Sequence, residues 1–218
     1  MRALEEPQVQ PDTGREARTG QPEVIYGPGK TPEQVLAVVN ALIRADVLPI
    51  LVSRATAEQV RAVAEQHPDA RHHEIANLIV VRPATDRHRT VAVVSAGTSD
   101  LPVAEEAAVT AESFGLSVER ITDVGVAGVH RVLERVPTLE RMDCVIVVAG
   151  MEGALPSVVA GLVPAPVIAV PTSVGYGATF DGLAALLGML SSCVPGVVVV
   201  NIDNGLGAAM AAHRMIRG

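Results

Sequence analysis

Aromatic side chains are almost missing from this chain. Only Tyr26, Phe114, Tyr176 and Phe180 among its 218 residues are Phe or Tyr, and there is no Trp. Base-stacking platforms and aromatic cages therefore have little to be built from, and a small ligand must be gripped mainly by backbone and polar groups. Cysteine is as scarce. Cys144 and Cys193 cannot make a disulfide framework, and no charged-then-apolar leader opens the chain, so a reducing, cytoplasmic compartment is expected. Basic residues are in deficit: 17 Lys and Arg face 24 Asp and Glu, and the formal charge of −7 speaks against nucleic acid as a partner. Gly, Pro or a charge interrupts every apolar run before the ~20 residues of a membrane span, so no membrane partner is expected either.

What the chain has in abundance is aliphatic residues, with 49% hydrophobic against 19% charged. Its length suits one full domain of roughly 100 to 200 residues and a small appendage. Residues 1–20 carry too little apolar surface to offset the entropy of ordering them and are expected to form a disordered tail. Residues 21–88 read as a small N-terminal α/β domain, with β-branched runs at 23–26, 48–52 and 75–81. Two helices lie between them, opened by the same pattern, Thr31-Pro-Glu-Gln34 and Thr56-Ala-Glu-Gln59, in which the hydroxyl caps a backbone N–H and the Gln reaches back. Asp86-Arg-His-Arg89 is a polar bridge. Residues 89–218 then alternate regularly. Aliphatic runs at 91–94, 116–121, 144–148, 167–170 and 197–202 suit strands buried on both faces of a parallel sheet. Helical patterns at 102–114, 129–136, 155–162, 183–191 and 206–216 separate and follow them. Five such units predict an α/β fold with a doubly wound, Rossmann- or flavodoxin-like sheet.

In such a sheet the ligand lies beyond the carboxyl ends of the strands. All five strand-to-helix loops there are small, polar and glycine-rich: Ser95-Ala-Gly-Thr-Ser-Asp100, Thr122-Asp-Val-Gly-Val-Ala-Gly-Val-His-Arg131, Ala149-Gly-Met-Glu-Gly-Ala-Leu-Pro156, Pro171-Thr-Ser-Val-Gly-Tyr-Gly177 and Asn201-Ile-Asp-Asn-Gly-Leu-Gly207. Backbone N–H groups in loops of this kind, backed by helix N-termini, hold phosphate even in an acidic protein. A phosphorylated small molecule is the expected ligand, although Gly and Ser are also ordinary turn residues. Other motifs are weaker. Gly27-Pro-Gly-Lys-Thr31 has Val24 where a P-loop needs glycine, and Thr31 is better used as a helix cap. The six histidines show no HExxH spacing and no cysteine pair has zinc spacing, so no structural transition-metal site is expected.

At these loops the chain resembles the aminoimidazole ribonucleotide carboxylases of purine synthesis, the PurE-like enzymes. Residues 95–100 resemble their GSxSD loop for phosphate and ribose, Ala127-Gly-Val-His-Arg131 their SAHR segment, and 149–156 their AGxAAHLPG loop, except that Ala154 stands where they keep a functional histidine and Glu152 where they have a small residue. The resemblance is closer to the LarB family, through Asp123 to Arg131, Gly150 to Pro156, Pro171 to Gly177 and Asn201-Ile-Asp-Asn-Gly205. It implies a PurE-like catalytic domain at 89–218 and the first step of nickel-pincer cofactor synthesis for lactate racemase. In that step nicotinic acid adenine dinucleotide is carboxylated at C5 of its pyridinium ring and its phosphoanhydride is hydrolysed. The products are pyridinium-3,5-biscarboxylic acid mononucleotide and AMP. CO2 or bicarbonate supplies the carbon, and magnesium is the implied cofactor. An aminoimidazole ribonucleotide carboxylase or mutase, which expects histidine at 154, and a non-catalytic nucleotide-binding module are the competing readings.

A pyridinium cation is too electron-poor to attack CO2 until a nucleophile adds to the ring, and a thiolate both adds and leaves readily. The family residue for that role is Cys193. Free cysteines are also common as small buried hydrophobes, the role expected of Cys144. Because Cys193 follows the helix that runs back from the fourth strand, it falls at the opposite edge of its own sheet from the glycine loops. A neighbouring subunit is therefore expected to present it, in a homo-oligomer with active sites at subunit interfaces, an octamer being one such assembly. Glu152 is the candidate base for the ring proton, or else a solvated carboxylate at a helix N-terminus. Asp100 is read as a catalytic-site carboxylate for ribose or magnesium, or as a helix cap. His130 and Arg131 suit a phosphate or the ring carboxylate, or form a solvent-facing pair. Ser95, Gly97, Thr98, Ser99, Asp123, Gly125, Gly150, Met151, Gly153, Pro171, Thr172, Ser173, Gly175, Asn201, Asp203, Asn204 and Gly205 complete the expected substrate-binding set.

Overall fold

A computed structural model of the chain describes residues 9–85 and 89–216. These form two compact units on either side of residues 86–88. The first opens with a short helix, α1 (Arg15–Thr19), and continues through β1 (Val24–Tyr26), α2 (Pro32–Arg44), β2 (Ile50–Ser53), α3 (Ala57–Gln66), β3 (Arg71–His73) and β4 (Leu78–Val81). Its sheet runs β1-β2-β4-β3, with β1 and β2 parallel and the other pairs antiparallel. Both expected capping boxes are present: Thr31 and Thr56 accept from the Gln34 and Gln59 N–H groups, and each Gln side chain accepts from its cap's own N–H. The polar edge strand β3, with no aliphatic residue, escaped the sequence pattern.

The expected tail of residues 1–20 needs correction. Residues 1–8 lie outside the described residues, but the rest is ordered. The Asp12 carboxylate gathers Arg15 and Arg18 at 3.2 and 2.6 Å, its N–H donates to Glu23, and Val9 packs on the core. Val9 on the core and the Asp12 N–H bond to Glu23 tie this segment to the unit, which its composition did not show. Of the expected polar bridge, residues 86–88 also lie outside the described residues. Arg89 pairs with Asp143, whose carboxylate also accepts from the Thr90 N–H and hydroxyl and so fastens the start of the next strand.

The second unit carries β5 (Thr90–Ser95), α4 (Leu101–Ser113), β6 (Ser117–Ile121), α5 (His130–Leu133), α6 (Val136–Leu139), β7 (Cys144–Ala149), α7 (Leu155–Ala160), β8 (Val167–Pro171), α8 (Leu183–Leu190), β9 (Val197–Val199) and α9 (Gly205–Ile216). All five strands are parallel, in the order β6-β5-β7-β8-β9. This is the doubly wound sheet expected. The single helix expected at 129–136 is two, because Pro137 cannot continue a helix but suits the first turn of a new one. One face of the sheet packs on α4 and α9 through alanines (Ala104, Ala107, Ala108, Ala111, Ala208, Ala209, Ala212), which let those helices lie close. The other packs on α5 to α8 through Val132, Leu139, Leu155, Val159 and Met189. Helices leave β5 and β7 toward opposite faces, so the crest of the sheet parts between these neighbours.

The two sheet edges differ. On β6, Arg120 reaches Glu105 and Glu112 of α4 at 3.0 and 2.5 Å, charges that discourage pairing with another strand. At the β9 edge no charged residue occurs between Asp181 and Asp203. There α8 turns Leu183, Leu187 and Leu190 outward, and Phe180 before it is 70% exposed. Among the described residues no helix is long and apolar enough to cross a membrane.

Candidate active site

Where the crest parts, the loops after β5, β6, β7 and β8 enclose a cleft of about 360 Å³. Gly97, Thr98, Ser99 and Asp100 line it from the first loop, Asp123, Gly125 and Arg131 from the second, and Gly150, Met151 and Glu152 from the third. Ala96, Val126, Ala127, Ala149, Ala154, Leu155 and Val174, which have no polar side chain to single them out in the sequence, supply the apolar wall. Asp123 and Met151 both have left-handed backbone, with φ of 57° and 53°. That conformation is uncommon outside glycine and tends to collect at functional loops.

Asp100 is the clasp of this crest. It is 3% exposed, its Oδ1 accepts from the Thr172 hydroxyl at 2.7 Å and its Oδ2 from the Gly97 N–H at 2.8 Å. One carboxylate thus ties the loop after β5 to the end of β8. Burial raises its pKa, while the bonds from Thr172, Gly97 and Gly150 act in the other direction. An acid raised in this way holds its proton in the folded chain at a pH where the unfolded chain has released it. Its contribution to stability therefore falls as pH rises through that interval and is recovered on acidification. Denaturant titrations of wild type and Asp100→Asn at neutral pH and at about pH 4 should show the difference between them moving in favour of the wild type at the lower pH. An unchanged difference would mean that the carboxyl titrates normally.

Glu152 is exposed, and its side chain makes no hydrogen bond or ion pair among the described residues. Its loop is held from behind. The Met151 N–H donates to the Val174 carbonyl at 2.9 Å, and a side chain at Gly188 of α8 would stand 2.5 Å from the Glu152 carbonyl oxygen. The helix with the exposed leucines therefore backs directly onto the loop of the candidate base.

The family models decide the kinship. Residues 5–83 match the LarB/PurE-like N-terminal domain and residues 90–217, more than half the chain, match AIR carboxylase. The chain belongs to the LarB/PurE-like family. An uncharacterised protein of Methanocaldococcus jannaschii is 40% identical over 213 residues, covering 92% of this chain and 81% of that one. The N5-carboxyaminoimidazole ribonucleotide mutase of the same organism is 39% identical over 131 residues, 58% of this chain and 78% of that one. The crystal structure of Treponema denticola PurE is 26% identical, with a TM-score of 0.48 over 59% of this chain and 80% of that chain.

Several residues expected in this LarB/PurE-like site do not line the cleft. Ser95 is fully buried at the end of β5, and its hydroxyl has no partner among the described residues. His130 is exposed beside Arg131 but outside the cleft. Gly153, Pro171, Thr172 and Gly175 brace the walls instead; Pro171 and Thr172 are buried at the end of β8. Ser173 donates its N–H to Asp203 at 2.9 Å, and Asn201 accepts from the next residue's N–H. Asn204 caps α9 by accepting from the Gly207 N–H, and Gly205 is buried where α9 meets α4. The loop after β9 is thus used to start a helix, a role that the same residue types fill as readily as ligand binding. Cys144 is buried within β7, which pushes its thiol up to about 12. Cys193 is exposed on the loop from α8 to β9 and does not line the cleft, but it is not at the opposite sheet edge as expected. The hydroxyl of the adjacent Ser192 is 2.7 Å from that of Ser157 in the first turn of α7, because α8 packs across the loop of Glu152.

The donor set does not fit a resident magnesium ion on Asp100. That carboxylate is buried with both oxygens engaged, and among the described residues no three His, Cys, Asp or Glu side chains come together as a metal site. Magnesium prefers six oxygens and keeps several waters.

Proposed function

We propose that this protein carboxylates the pyridinium ring of nicotinic acid adenine dinucleotide at C5 and hydrolyses the phosphoanhydride, releasing AMP and pyridinium-3,5-biscarboxylic acid mononucleotide. The observation that carries the reading is the composition of the cleft: Glu152 stands free at its wall and Ala154 fills the position where the ribonucleotide carboxylases keep a histidine. Two exposed carboxylates, Asp123 and Glu152, line the cleft against one guanidinium, that of Arg131, which Asp123 already pairs, so Glu152 leaves the lining net negative. Such a lining favours a cationic ring over a neutral imidazole, while the glycine-rich crest offers N–H groups to phosphate.

In this reading the Cys193 thiolate adds to the ring beside C5 and converts the cation to a neutral, enamine-like dihydropyridine. C5 then attacks CO2 and forms the new C–C bond. Glu152 takes the proton from C5, and departure of the thiolate with its electron pair restores the aromatic cation. Water cleaves the phosphoanhydride. Magnesium, where required, arrives on the substrate's phosphates.

Cys193 does not line the cleft of its own chain, and in this reading a second copy supplies it. The apolar face of α8 and β9 is the surface for it. It carries no charge, it is exposed, and it runs straight into Cys193. Free thiols suit the cytoplasm. The test is incubation with nicotinic acid adenine dinucleotide, bicarbonate and magnesium, monitored for AMP and for a mononucleotide heavier by one carboxyl. The mutase reading is favoured by the names of relatives that align with the second unit. It predicts turnover of carboxyaminoimidazole ribonucleotide instead, and binding without turnover of either substrate would indicate a nucleotide-binding module.

A further inference from the structure

We infer that Asp123 is a resident counter-ion that occupies the anion position of Arg131 and must give way to an oxyanion of the incoming ligand. Arg131 is the one Lys or Arg side chain among the residues that line the cleft. Its Nη1 lies 2.9 Å from Asp123 Oδ2. The pair is built in rather than incidental. The guanidinium lies against Gly128, where any side chain would come within 2.8 Å of Nε, so that glycine leaves the arginine its seat. On the other side the residues after Asp123 are fastened to the end of β5: the Val124 N–H donates to the Ser95 carbonyl at 3.1 Å and the Gly125 N–H to the Ala96 carbonyl at 2.8 Å. Asp123 is thereby held in left-handed backbone with its carboxylate at the guanidinium.

The pair is also weak enough to exchange. Its side chains are 36% and 53% exposed for Arg131 and Asp123, and ion pairs with that much solvent contribute little. A phosphate or a ring carboxylate presents two oxygens to the guanidinium fork and takes the place of Asp123. The exchange makes the empty cleft a poor trap for stray anions, because each must compete with a carboxylate already in place. This inference rests on the reading of the cleft as an anion-binding substrate site. It adds that Asp123 weakens anion binding rather than supporting it.

Calorimetric titration of the full chain with inorganic phosphate, and separately with nicotinate, tests this and shows which oxyanion the position prefers. Asn accepts left-handed backbone and Gly accepts it freely, so Asp123→Asn and Asp123→Gly both remove the charge without forcing the turn. Each is expected to bind the preferred anion about three- to tenfold more tightly than wild type. In an Arg131→Met background the gain should vanish. Weaker or equal binding in both Asp123 variants would overturn the inference, since Asp123 would then be holding Arg131 in position for the ligand. A gain that persists without Arg131 would also overturn it, as a general effect of charge. Failure to turn over the dinucleotide, with the gain in phosphate or nicotinate binding intact, would remove the proposed reaction and leave the exchange standing.

Discussion

Replacing Cys193 with Ala is expected to lower carboxylation by about a thousandfold or more, the scale of loss when a covalent nucleophile is removed. Stability should change by no more than about 0.5 kcal/mol, because the side chain is exposed and its thiol is not in the core. The combination matters. A drop in activity with a large fall in melting temperature would point to packing, whereas the expected result separates chemistry from fold. The same substitution at Cys144 should behave in the opposite way. That thiol lies inside the central strand β7, between β5 and β8, and losing its sulfur leaves a gap in close-packed surroundings. Cys193→Ser is the stricter variant, since it is nearly isosteric and removes the good nucleophile and leaving group. Undiminished carboxylation in either Cys193 variant would eliminate the thiol adduct.

Leu187→Asp is expected to dissociate the assembly and, with it, to reduce activity at least about a hundredfold, since a charge buried unpaired in an apolar contact costs several kcal/mol. Leu187 is 54% exposed on α8, midway between Leu183 and Leu190, so in an isolated chain the aspartate would be harmless. Sedimentation velocity reads the assembly and product formation reads the site. Loss of both together ties the cleft to its neighbour. Retained activity in a dissociated chain would show that one copy contains all it needs.

The architecture was legible because it is written in periodicity. Runs such as 145–148 and 167–170 are aliphatic on every residue, as strands covered on both faces require. Thr31 and Thr56 announced their helices through a local rule that needs no tertiary knowledge. What the pattern missed was governed by other forces. The edge strand β3 is polar, and α1 is organised by Asp12 with two arginines, so neither shows in an apolar count. Of the residues singled out by polar type, Gly97 to Asp100, Arg131 and Gly150 to Glu152 share one cleft. Residue type could not separate a cleft-lining Asp123 from a helix-capping Asn204, because both positions suit a short side chain with an accepting oxygen. The alanines and valines of the cleft wall carried no chemical mark at all. Exposure of Cys193 was likewise invisible in its apolar surroundings.

The most direct measurement pairs two inactive variants. Cys193→Ala keeps Glu152, and Glu152→Gln keeps Cys193, and co-expression in equal amounts with different tags yields mixed assemblies that can be purified. If each site draws its thiol from one copy and its base from another, about one site in two of a mixed dimer, or about one in four of a larger randomly mixed assembly, regains both groups, and carboxylation should return to about that fraction of the wild-type rate. Mixed assemblies as inactive as either parent would contradict a cysteine lent between copies.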